Sequence, residues 1–276
     1  MAKKLWGGRF KKEMHPALKC FSYSLAADKE LFQAEILVNR AWARMLAKTG
    51  IITGAEAREI VRGLAAVEKD FEGRDLFAYA SRYEDIHTLI QSELEKRAGK
   101  VAKKLHTGRS RNDLVVTSTR IYLREKISVI CYEIRRLQRA LVSAADRAAD
   151  LIIPGMTHLR KAQPVLLAHH LLAYVEMTEE DTMRFRDALK RVNVLPIGSA
   201  ALAGSALPID QKFLAKELGF AKISGNSMTA VSDRGFLAEF LAGLSILWMH
   251  LSRLAEDFIL WNSEAFGYVE LDDAFA

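Results

Sequence analysis

The stretch KLHTGRSRND, Lys104–Asp113, gathers His106, Arg109, Ser110, Arg111, Asn112 and Asp113 just ahead of a long apolar-periodic run. Three readings suit such a set. A turn permitted by Gly108 would aim backbone N–H groups, Ser110, Asn112 and two guanidinium forks at a carboxylate placed at the positive end of a helix. Arg109 and Arg111 could instead grip nucleic-acid phosphates, although no interleaved aromatic platform and no long basic stripe surround them. The plainest alternative is a capped helix entry with solvated arginines, because Ser110 and Asp113 have the S-x-x-D spacing of a reciprocal cap.

A second constellation is PGMTHLRKAQP, Pro154–Pro164, which places Thr157 and His158 in a short connection between two long helical stretches. A histidine there can act as general acid or base, where a histidine in a helix seam more often packs. His169 and His170 are direct neighbours, so their rings point in different directions and make a poor metal pair. No metal site is expected. Gly198 and Gly204 lack the Lys-Ser/Thr and the preceding strand of a phosphate loop, and so suit a tight turn or a close helix contact. In GNSMTAVSDRGF, Gly225–Phe236, Ser232 or Asp233 is the expected cap of a following helix.

The elements that would carry these groups are helical, and strand signals are almost absent. Ile130, Ile134, Leu137, Leu141, Ala144, Ala148 and Leu151 follow the three-then-four spacing of a long helix seam, broken by Pro154 and Gly155. A second long helix is expected from near Pro164, whose ring suits a first turn, to before Pro196, and a third over roughly Asp233 to Phe266. The middle of the third, FLAGLSILWMHL, is apolar on nearly every face, as in a helix surrounded by others. Upstream, one shorter helix ends at Gly50 and another starts with Thr53 as its cap. The expected fold is all-α: a small N-terminal helical domain over residues 1–112, then a long-helix bundle over 113–276.

Composition narrows the classes. Half of the 276 residues are hydrophobic, which excludes disorder as the default, and a net charge of +6 with interleaved signs mildly favours an anionic partner. Cys20 and Cys131 have no metal or disulfide spacing and suit a reducing compartment, the cytoplasm being the simplest. The basic start MAKKLWGGRFKKEM lacks an apolar core, so no secretory signal is expected. The apolar run Phe236–Leu251 is interrupted by Glu239 and His250, which argues for a buried helix rather than a membrane span.

Taken together, KLWGGRF at Lys4, EDIHT at Glu84, KLHTGRSRND at Lys104, THLRKAQP at Thr157, RVNVLPIGSAALAG at Arg191 and LSRLAEDFILW at Leu251 resemble the argininosuccinate lyase family of the aspartase/fumarase superfamily. The motifs occur in order along the whole chain, and KLWGGRF with HTGRSRND points to this family rather than to fumarase or adenylosuccinate lyase. The resemblance implies a homotetramer built around a long-helix bundle, with sites shared between subunits. It also implies a reversible β-elimination of argininosuccinate to arginine and fumarate, as in arginine biosynthesis. No cofactor is implied, and neither nucleic acid nor membrane is an expected partner.

Position by position, Ser24, Asn112 and Thr157 match the family's substrate-binding residues and His158 its catalytic histidine. Ser110 and Arg111 fall in the same motif, Arg111 with Asn112 holding a carboxylate. Met156, Arg160 and Gly235 stand where the family commonly has Tyr, Gln and Asp, which bears on affinity and rate more than on reaction type. The sequence ends at VELDDAFA, where the family continues into a Gly-Ser-Ser loop bearing a catalytic serine and the histidine's acidic partner. By itself the chain is therefore expected to be nearly inactive, and to associate through the apolar faces at Phe240, Leu244, Leu247, Leu251, Leu254 and Phe258 of its last helix. The alternatives to the lyase are a crystallin-like structural relative on the same scaffold and another fumarate-releasing lyase of the superfamily.

Overall fold

The computed structural model describes Lys12 and residues 14–275, so the KLWGGRF motif lies outside the described residues. The helices are α1 (Pro16–Ser22), α2 (Leu25–Asp28), α3 (Phe32–Lys48), α4 (Gly54–Phe71), α5 (Ile86–Ala98) and α6 (Arg111–Arg147), followed by α7 (Leu167–Val192), α8 (Gln211–Glu217), α9 (Ser227–Ser232) and α10 (Gly235–Asn262). Between α6 and α7 run two antiparallel strands, β1 (Ile152–Thr157) and β2 (Arg160–Leu166). Two shorter strands, β3 (Val194–Leu195) and β4 (Lys222–Ile223), pair in parallel. The fold class is all-α, as expected.

The chain divides into two compact units. The first holds the described residues up to Arg124 together with Asn193–Asp233, and the second holds Glu125–Val192 and the residues from Arg234 on, so α6 contributes to both. In the first, α3, α4 and α5 bury Trp42, Ile36, Leu46, Ile60, Leu64, Leu89 and Leu94. Thr53 caps α4 as expected: its side chain accepts from Glu56 N while the Glu56 carboxylate accepts from Thr53 N, satisfying two otherwise orphaned donors.

In the second unit α7 and α10 run antiparallel, since their ion pairs occur in opposite order: Arg191 with Glu239, Asp181 with His250, His170 with Asp257. α7 turns Leu171, Tyr174, Thr178, Asp181, Phe185, Ala188 and Val192 inward at helical spacing. α10 answers with Phe236, Phe240, Leu247, Leu254 and Trp261.

Three expectations are corrected. The segment around Pro164 is strand rather than a first helical turn, and α7 begins at Leu167. Pro154 and Pro164 face one another across the two-stranded ribbon, where an edge position tolerates a residue without an N–H, so the expected breaker Pro154 and the expected helix start Pro164 are both strand residues. The caps also differ, for Arg234 is the N-cap of α10 and Asn226 caps the short α9 by accepting from Met228 N and Thr229 N.

The third correction concerns α10. An 18-residue window in it reaches a mean hydropathy of 1.4, long and apolar enough by length and composition alone to cross a membrane. The residues named as its uncovered face are largely its covered one, Phe240, Leu247 and Leu254 each being 8% exposed. The uncovered apolar side chains are Leu241, Trp248, Met249 and Ile259.

Trp42 is fully buried, and its indole N–H reaches the Thr107 carbonyl at 3.2 Å, so it braces α3 against the segment leading into α6. Trp42→Ala should lower unfolding stability by about 3–5 kcal/mol. A urea midpoint within error of the parent would refute that account of the core.

Candidate active site

The long α6 begins at the GRSRND motif with the predicted cap. Asn112 N donates to Ser110 Oγ at 3.2 Å, and Ser110 N donates to Asp113 Oδ1 at 3.0 Å. The other Asp113 oxygen accepts from Gly198 N at 3.1 Å and Ala200 N at 2.8 Å, fastening the loop after β3 to the helix entry. Asp113 is fully buried, and burial pushes its carboxyl up, although these backbone donors and Arg109 oppose the shift. Asn112 is exposed, and its Nδ2 donates to the Ala201 carbonyl at 3.0 Å. Gly198 has φ +101°, and a Cβ there would come within 2.7 Å of Gln211, so it serves a tight turn as expected rather than a phosphate.

Ser24 and Arg111, 87 positions apart by number, meet at the EDIHT segment that opens α5. Ser24 N donates to the Glu84 carbonyl at 2.8 Å, and Ser24 Oγ to Asp28 Oδ2 at 2.7 Å. Asp28 Oδ1 in turn accepts from Ile86 N at 3.2 Å. Arg111 Nη2 pairs with Asp85 and donates to Thr88 Oγ1 at 2.9 Å, with Glu84 4.0 Å from Nη1. Asp85 also caps α5 through Thr88 N at 2.7 Å. Burial pushes the Asp28 carboxyl up, with the Ser24 hydrogen bond opposing it.

Beneath this segment lies a buried ion pair. His87 Nδ1 is 2.9 Å from Glu35 Oε2, which also accepts from Ser118 Oγ at 2.9 Å, while Asn39 Nδ2 donates to Oε1 at 3.0 Å. Burial alone would raise the Glu35 carboxyl, yet His87, Arg109 and the Ser118 hydrogen bond together hold it down to about 2. Burial alone would lower the His87 imidazole, but the Glu35 carboxylate raises it. Arg109 points inward: its Nε and Nη1 are buried, and burial brings it down to about 10. With Arg109 inside and Arg111 committed to Asp85 and Thr88, neither guanidinium is laid out for a phosphate backbone.

Thr157 and His158 belong to the other unit, at the tip of the β1–β2 hairpin. Thr157 pairs with Arg160, leaving His158 and Leu159 as a two-residue loop with φ of 51° and 59°. Positive φ at both central residues is the type I′ requirement, normally met by Asn-Gly. A register shift at Gly155 lets the ribbon bulge, and a Cβ at Gly155 would meet the Gln163 carbonyl oxygen at 2.9 Å. Thr157, His158 and Leu159 are all exposed.

The sequence-derived residues thus fall into two groups: Ser24, Ser110, Arg111 and Asn112 in the first unit, Thr157 and His158 in the second. Sequence reasoning missed Asp28, Asp85, His87, Glu35 and the double use of Asp113. The available signals were the spacing of four from Ser24 to Asp28 and the acidic pair directly before an apolar helix.

The family model described as Lyase matches residues 8–276, and the chain belongs to that family. Among curated relatives, the argininosuccinate lyase of Moorella thermoacetica is 50% identical over 274 residues, covering 99% of this chain and 59% of the relative. That of Desulforudis audaxviator is 47% identical over 273 residues with the same coverage, so the chain spans 59% of the length of these relatives. Among solved structures, an EDDS lyase variant with bound fumarate superposes with a TM-score of 0.82 at 28% identity, covering 96% of this chain and 53% of that one. A fumarate lyase from Mesorhizobium sp. superposes at 0.72 with 22% identity, covering 94% of this chain and 60% of that one, and shares the fold.

Two measurements test this geometry. Glu35, held below its usual 4.5, contributes stability present above about pH 4.5 and lost as pH falls toward 2; His87, held above its usual 6.5, contributes stability present below pH 6.5 and lost as pH rises through its raised value. Glu35→Gln should therefore flatten both limbs of the urea midpoint plotted against pH, and an acid limb as steep as the parent's would mean that the pair is not ionised. Leu159 is 70% exposed at positive φ, so Leu159→Gly should raise stability by up to about 1 kcal/mol. A lower thermal midpoint for that variant would contradict the turn assignment.

Proposed function

We propose that the protein carrying this chain is an argininosuccinate lyase that splits argininosuccinate reversibly into arginine and fumarate, in arginine biosynthesis. The observation that carries the reading is identity near one half to argininosuccinate lyases along 99% of the chain. The polar α6 entry described above is the kind of donor set such a reaction requires.

The chemistry follows from the substrate. A base removes a proton from the carbon next to a carboxylate, charge builds on that carboxylate, and the bond to the guanidinium nitrogen breaks as the double bond of fumarate forms. The barrier falls when preplaced donors meet the growing charge. In this proposal Arg111 and Asn112 hold a substrate carboxylate and Ser110 orders the helix entry. Ser24 and Thr157 contact substrate, and His158 moves a proton as general acid or base. Residues 1–112 and 113–276 act as the N-terminal helical domain and the long-helix bundle, in a cytoplasmic homotetramer. The exposed Leu241, Trp248, Met249 and Ile259 of α10 support association.

Fumarate release from argininosuccinate, followed by ultraviolet absorbance, tests the reading. It should be run on this chain alone and on a polypeptide of the relatives' length, each with a His158→Asn control. Activity is expected in the longer form and should fall by about 10²–10⁴-fold in the control. No fumarate from the longer form would sink the proposal in favour of a structural relative.

A further inference from the structure

His170 and Tyr174 lie one turn apart on α7, and both face the end of α10. Asp257 Oδ2 accepts from the Tyr174 hydroxyl at 2.5 Å and lies 2.7 Å from His170 Nε2. Trp261, one turn on from Asp257, meets the His170 ring edge-on with centroids 4.8 Å apart. The hydroxyl and imidazole share a single carboxylate oxygen, and burial with the Asp257 charge raises the Tyr174 phenol well above its ordinary value. His169, the neighbour in sequence, is exposed, so the two rings do point apart.

Nothing in the lyase reaction uses this cluster directly. His158 stands eight residues before Leu166, which is roughly 25 Å along an extended strand. The cluster does, however, sit where the hairpin is rooted. β2 ends at Leu166 and α7 begins at Leu167 without a linker, and Leu167 N donates to the Leu151 carbonyl at 2.9 Å, closing the base. Ile153 of β1 packs in one apolar cluster with Leu171, Tyr174 and Trp261. Burial in the hairpin is concentrated there: Ile153 is buried and Val165 half-buried, while Thr157–Pro164 are exposed. A two-stranded ribbon is marginal alone, so its direction is set by what holds its root.

We propose that His170, Tyr174 and Asp257, backed by Trp261, form a positioning clasp for His158. It locks the first two turns of α7 to α10 and thereby fixes the direction in which the hairpin presents the imidazole. The role rests on the reading of His158 as the proton carrier of the lyase. An angular error at the root is multiplied along the ribbon, so loosening the clasp should act on the chemical step more than on substrate affinity.

The test uses the polypeptide of the relatives' length with three variants: His170→Ala, Tyr174→Phe, which removes one hydrogen bond and keeps the ring, and His170→Gln, whose amide keeps a donor toward Asp257. Amide hydrogen exchange over Ile153–Leu166 should quicken in His170→Ala and Tyr174→Phe, and kcat for fumarate release should fall by about 10- to 100-fold with KM changed by less than about twofold. His170→Gln should restore both. Should His170→Ala not fold, the comparison of Tyr174→Phe with the parent decides. Unchanged hairpin exchange in Tyr174→Phe, a rise in KM alone, or a His170→Gln no better than His170→Ala would overturn the clasp. A parent that releases no fumarate would remove the catalytic reading of His158, and the exchange data would still decide whether the clasp holds the hairpin.

Discussion

A long helix leaves its first N–H groups without partners, and at the start of α6 the Ser110 hydroxyl takes one of them, accepting from Asn112 N, while the buried Asp113 carboxylate fastens the entry. Asp113 accepts from Ser110 N, Gly198 N and Ala200 N, closing the cap and tethering a loop from far along the sequence to the helix entry. The Asn112 and Arg111 side chains of the same turn reach separate partners, the Ala201 carbonyl for one and Asp85 with Thr88 for the other. A carboxylate with this many fixed backbone donors is difficult to replace. An amide would turn an N–H toward at least one donor, leaving a buried group unsatisfied.

Charge is arranged in layers around that entry. Glu35 and His87 are both buried, and each compensates the other's desolvation; a lone charge of either sign would be strongly unfavourable there. Above them Asp85 and Thr88 hold one arm of Arg111, so its orientation is set before any ligand arrives. Pre-set donors are worth more than mobile ones because they need no reorganisation while charge develops. The proposed carboxylate-holding role of Arg111 rests on this orientation, which the acidic neighbour sets.

Much of this was legible in the sequence, for identifiable reasons. The S-x-x-D cap at Ser110 and the capping box at Thr53 are local and depend on spacing alone, so they could be read directly. The meeting of Ser24 with the EDIHT segment could not, because contacts between distant stretches leave no local pattern. The hairpin was hidden for a different reason. Pro154 and Gly155 read as helix breakers and Pro164 as a helix start, and only in a two-stranded ribbon, where every strand is an edge, do they fit as strand residues. On α10 an apolar pattern nearly all round carries little angular information, and packing against α7 and its neighbours decides which face is covered.

The hairpin tip shows how a local rule is broken with a structural consequence. His158 and Leu159 both adopt left-handed backbone, and with Leu159 exposed there is no packing to offset the strain of order 1–2 kcal/mol per residue. A longer or glycine-containing loop would relax it. What the strained turn provides instead is brevity: with two residues between paired Thr157 and Arg160, the backbone of His158 has little freedom. The same reasoning explains why the root must be firm. A stiff tip transmits the orientation of its base faithfully, whereas a loose tip would make the packing of Ile153, Leu171, Tyr174 and Trp261 irrelevant to where the histidine points. Tip strain and root packing are therefore parts of one device, and each loses its purpose without the other.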